Sequence, residues 1–170
     1  SFAQALAVGL TTEGDYFAVG LDDAVPHDEL IKRFNANAPN GLMALAARDM
    51  ASDEKSPMAR VDAAVYRLEA GDEKQAALCE GVMALYAMPS YTQQIKGKAQ
   101  DVRARIFEAA CGDRGVRVVV SCGNENLSHK ALIAAVCGIL GWSEDEIIIR
   151  REDLLTRNPS GALRSLLSAG

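Results

Sequence analysis

Between Pro26 and Cys111, apolar residues recur at steps of three and four, and each series is bracketed by residues that start or stop helices. No other feature of the chain constrains its fold as much. Pro26 suits a first helical turn, Leu30, Ile31 and Phe34 share a face, and Pro39 ends the segment. Asn40 caps a second series with Leu42, Leu45, Ala46 and Met50 inward. Ser56-Pro57 opens a third, Met58, Val61, Val65 and Leu68, which Gly71 stops. After Asp72, the residues Leu78, Val82, Leu85 and Tyr86 form a fourth face, closed by Pro89. Ser90 with Gln93 reads as a capping box for the fifth and longest stripe, Ile95, Ala99, Val102, Ile106 and Ala109.

Two stretches break this rhythm. Residues 5–21 read as a β-hairpin around Thr12-Glu13-Gly14-Asp15, with a frayed helix over 2–8 as the competing reading. Val-Arg-Val-Val-Val at 116–120, between Gly115 and Gly123, has the length and β-branched content of a strand. A helix over 127–140 follows. Ser143 with Glu146 is a capping box and Trp142 with Ile147 a hydrophobic staple, so a helix starts at Ser143 unless Ile147-Ile148-Ile149 forms a short strand. Asn158-Pro159 opens a last helix that buries Leu163, Leu166 and Leu167. The expected class is mainly α (α+β): packed antiparallel helices with a small β component, the hairpin 5–21 and the strand 116–120. The chain, 1–170, is expected to be a single domain with parts 1–25, 26–111 and 112–170.

Composition agrees with close-packed helices, because 49% of residues are hydrophobic but only 5% aromatic, leaving the core to Ala, Leu, Val, Ile and Met. The net charge of -5 is uneven: residues 1–94 hold 7 Lys/Arg against 14 Asp/Glu, and 95–170 hold 11 against 9. So weak a positive excess puts nucleic-acid binding at a disadvantage, even with Arg150-Arg151, Arg157 and Arg164 near the C-terminus. No apolar run approaches the ~20 residues of a membrane span, so no membrane partner is expected. Cys79, Cys111, Cys122 and Cys137 lack zinc-site spacing, and His27 with Asp28 and Glu29 reads as an acidic first turn, so no metal is expected. The four cysteines read as reduced, mostly buried thiols, which points to the cytoplasm.

One stretch adds to the helical reading. Leu68 to Gly71, then Ala77, Ala84-Leu85 and Pro89, place small residues and a terminal proline where one tetratricopeptide repeat has them. Residues 65–89 therefore resemble that family, although Gly81 stands where it has a large aromatic and Gly71 falls one position early. The resemblance implies a paired-helix surface that binds peptides or proteins.

The sharpest chemical feature is the strand-to-helix junction 121–130, Ser-Cys-Gly-Asn-Glu-Asn-Leu-Ser-His-Lys. Small and polar residues before a helix start leave amides free to hold an anion, which nominates Ser121, Gly123, Asn124, Ser128 and Lys130. Cys122 and His129 form a candidate catalytic pair, a thiol near a helix N-terminus with an imidazole able to take its proton. Ser121-Cys122-Gly123-Asn124 also resembles the anion loop of pyridoxal-phosphate enzymes of the tryptophan-synthase type, but no Schiff-base lysine motif accompanies it. No cofactor is expected. The first functional expectation is an intracellular protein-protein interaction or adaptor-type helical domain that binds a protein partner or itself. The alternative is a small enzyme or anion-binding domain using the 121–130 junction, and nucleic-acid binding comes third.

Overall fold

The 116–120 run is a strand, as its sequence demands, but it sits in the middle of a sheet. The computed structural model describes residues 1–168, without the side chain of Asn124. Strand β6 (Gly115–Ser121) pairs antiparallel on one side with β5 (Ile106–Gly112) and on the other with β2 (Ala63–Glu69). β2 pairs antiparallel with β7 (Ile148–Arg157), whose far edge carries β1 (Thr11–Thr12), parallel, and β8 (Leu163–Ser165), antiparallel. The order is β1-β7-β2-β6-β5, with β8 beside β7. A separate hairpin joins β3 (Thr92–Ile95) to β4 (Lys98–Asp101). The helices are α1 (His27–Asn37), α2 (Pro57–Arg60), α3 (Asp72–Ala87) and α4 (His129–Leu140).

The protein is therefore α+β with a substantial sheet, 31% helix and 28% strand, which corrects the mainly α expectation and its picture of packed antiparallel helices. Two of the predicted helices fail for identifiable reasons. Ala63, Ala64, Val65 and Tyr66 are all buried, because β2 is covered on both faces and reads as a continuous apolar run. The tetratricopeptide resemblance falls with it, since the first helix it requires is this strand. The stripe over 90–111 is cut by a tight turn in which Lys96 and Gly97 take positive φ, 52° and 76°, closing the β3-β4 hairpin. After Pro159 the chain forms β8 rather than a helix. Residues 40–50 form no helix, and the Ser143–Glu146 capping box is present but starts only a single 3-10 turn before β7. The hairpin expected within 5–21 is replaced by one isolated bridge, Phe2 to Phe17, while Thr11 and Thr12 pair with Arg150 and Arg151.

Alternation divides the sheet into two faces. Ala64, Tyr66, Leu68, Val116, Val118, Val120 and Leu154 pack with α3 and α4, which contribute Leu78, Val82, Leu85, Leu132 and Val136. Ala63, Val65, Val119 and Leu155 form a smaller cluster on the opposite face. The helices approach closely because Gly81 of α3 has no Cβ; one built there would lie 2.6 Å from Leu140 of α4. A disulfide joins Cys79 on α3 to Cys111 on β5, with Cα atoms 5.8 Å apart. This corrects the expectation of four free thiols and removes the cysteine argument for the cytoplasm. Cys122 and Cys137 are free and buried.

One irregularity positions the candidate site. Val65 lies opposite Asp153 but Tyr66 opposite Arg151, so β7 carries an extra residue, Glu152, at a bulge. The bulge lets Arg151 and Leu154 both face the helix-covered side. Among the described residues, no helix is long and apolar enough to cross a membrane.

Candidate functional site

The end of β6 turns sharply into α4, and internal hydrogen bonds hold that turn. Ser121 Oγ donates to the Glu125 carbonyl at 2.6 Å, the Leu127 amide donates to the Ser121 carbonyl at 3.0 Å, and Gly123 adopts φ +79°. Leu127 is buried and anchors the turn in the core. Ser128 caps α4, its hydroxyl accepting from the Ala131 amide at 3.2 Å. The amides of His129 and Lys130 precede the first intrahelical bond and stay available.

Beside this helix start is a hollow of about 180 Å³. The junction contributes Asn126, Ser128 and His129, the sheet contributes Tyr66 and Arg151, and Gln4, Ala5, Ala7 and Leu10 form the remaining wall. Arg151 is 1% exposed. Its Nη2 donates to Asp15 Oδ2 at 2.7 Å and to the Gln4 carbonyl at 3.4 Å. Its Nε is buried and has no hydrogen-bond partner among the described residues. A guanidinium N–H in that condition is costly, because it has lost water without gaining an acceptor.

The local environment tunes the neighbouring groups. Burial pushes the Tyr66 hydroxyl up to about 12, so it stays a protonated donor. His129 sits below the ordinary imidazole value, through burial first and then the charges of Lys130 and Arg151. Its ring centroid lies 6.5 Å from that of Tyr66. The cavity wall is thus rich in potential donors, a guanidinium, a phenol and an imidazole, beside the start of α4.

The predicted site residues distribute unevenly around this hollow. Ser128 and His129 line it; Ser121, Gly123 and Lys130 belong to the same turn without lining it, and the Asn124 side chain lies outside the described residues. Cys122 is buried, and its thiol donates to Gln4 Oε1 at 3.5 Å, behind the cavity wall. Burial pushes that thiol up to about 11, against the opposing influence of Gln4 and Arg151. At neutral pH Cys122 is therefore a thiol, not a thiolate.

Sequence reasoning missed Tyr66 and Gln4, and it noted Arg151 only within a C-terminal basic cluster, not beside the junction. A signal for Arg151 existed: Ile147, Ile149 and Arg151 alternate, which places the arginine on the inward face of a strand. A second hollow, of about 340 Å³, contains Arg67 and Arg150, but these are already paired with Glu152 at 2.5 Å and Glu69 at 3.7 Å. Among the described residues, no group of three metal-binding side chains converges.

The sequence model of one family, described as an uncharacterized protein conserved in bacteria (DUF2344), matches residues 1–130. No curated protein and no solved structure matches the chain.

Proposed function

Starting from a chain that belongs to the DUF2344 family of proteins conserved in bacteria, we propose that it binds a small oxyanion, a carboxylate or a phosphate, in the hollow between Arg151 and the start of α4. The observation that carries this reading is the buried, unpartnered Nε of Arg151. A planar guanidinium matches a carboxylate or phosphate fork, and an oxygen at Nε supplies the missing acceptor. The free amides of α4 and the helix dipole add to the attraction. Asp15 already takes Nη2, so the ligand meets one edge of a partly neutralised cation.

Thermal unfolding in inorganic phosphate, acetate and chloride at equal ionic strength tests this. Phosphate or acetate raises the melting temperature above the chloride control, because a ligand that binds only the folded state adds about 2.7 kcal/mol at a hundred times its Kd. Arg151→Lys keeps the charge, loses the fork and abolishes the shift. Identical melting in all three salts refutes the reading.

A further inference from the structure

The first third of the chain presents a different chemistry. Residues 1–31 contain Glu13, Asp15, Asp22, Asp23, Asp28 and Glu29 and no lysine or arginine. Within this acidic stretch, Phe17, Val19 and Leu21 occupy alternate positions and are 42%, 55% and 50% exposed. Phe17 stacks between Phe2 and Phe34 of α1, with centroids 5.6 Å apart on each side, extending the apolar surface.

The backbone here is half of a sheet edge. The Ala3 amide donates to the Tyr16 carbonyl and the Ala18 amide to the Ser1 carbonyl, both at 2.8 Å. In such an antiparallel bridge, the N–H and C=O of Phe17 point to the opposite edge. Among the described residues those groups have no partner, and the chain from 19 to 25 forms no backbone hydrogen bond. An unpaired edge beside alternating exposed apolar side chains is the geometry that accepts an added strand.

We infer that residues 17–21 dock an extended β-strand of a separate polypeptide, apolar at its centre and carrying lysine or arginine at its ends. Charge selects this occupant. A second copy would lay this acidic stretch, with Asp22 and Asp23 outside every ion pair among the described residues, against its own equivalent, and like charges brought opposite one another are destabilising. Basic ends turn those same positions into attractive pairs.

Two short peptides with one alternating Val-Thr centre, flanked by lysines or by glutamates, probe the surface. Fluorescence anisotropy is expected to show the lysine-flanked peptide binding about tenfold tighter, falling with salt, with amide exchange slowed at Phe17, Val19 and Leu21. The double reversal Asp22→Lys, Asp23→Lys inverts the preference. Val19→Pro, outside the main sheet, removes binding and leaves far-UV circular dichroism unchanged. Equal affinity for the two peptides, binding by neither, or a concentration-dependent homodimer that protects the same amides without peptide overturns the inference.

Discussion

The first sixty residues and the body that follows are built by different rules. Only Ala3, Leu10 and Pro57 are buried before position 61, and eleven of the fourteen exposed large apolar side chains lie at or before Met58. In the body, β2, β6, α3 and α4 interlock around fully buried Leu68, Val118, Leu78 and Leu132. Even α1, with an apolar face of Leu30, Ile31 and Phe34, has no buried residue. Burial of apolar area is the main source of stability, so the body carries the folding free energy and the first third is held by a few polar fasteners. Those fasteners are specific: Arg151 to Asp15, the Glu13 amide to the Arg151 carbonyl, and the Tyr16 hydroxyl to Asp153 and Ser165. Amphipathic patterning alone does not show which parts of a chain reach the core.

The largest test of this contrast is at its joint. Arg151→Ala strands Asp15 and is expected to cost about 3–5 kcal/mol in urea unfolding, with faster amide exchange confined first to residues 1–18. Uniform exchange across both regions would break the comparison. Next come matched truncations. Leu132→Ala should cost about 2–5 kcal/mol, while Leu45→Ala, at a 70% exposed position, should stay within about 0.5 kcal/mol. Equal costs would mean that the first third is folded as firmly as the sheet.

Reducing the Cys79–Cys111 bond should remove about 2–4 kcal/mol from the body and leave exchange in the first third unchanged. The smallest effect is on pH. Because His129 is held below the ordinary imidazole value, the unfolded chain takes up the proton first as pH falls through about 6.5. Stability therefore declines from that pH downward until the folded imidazole also titrates, and His129→Gln flattens the profile. A bound anion favours the imidazolium, so anion affinity should rise over the same interval; calorimetric titrations above and below it check the sign.

Legibility cut across that division, for physical reasons. Helices α1, α3 and α4 were readable because each has a clear start and an apolar stripe, and 116–120 because β-branched residues cluster there. β2 was unreadable because a strand covered on both faces loses its alternation, so Val61, Val65 and Leu68 passed for a helical series. At the site, Ser128 and His129 were visible through the capping pattern of the junction. Arg151 was hidden by its neighbour: Arg150 is an exposed ion-pair partner, and only strand alternation separates the two.

The extra residue in β7 bears on how related chains should be compared. Gaining or losing a residue inside a strand ordinarily inverts every side chain beyond it. Here Glu152 is absorbed by the bulge, so a related chain lacking it could run straight and still turn the Arg151 equivalent toward the cavity. An ungapped alignment anchored on Asp153 and Leu154 would slide the Arg150 equivalent onto Arg151. Placing the gap at 152 keeps the two arginines in separate columns, one facing the cavity and one facing solvent.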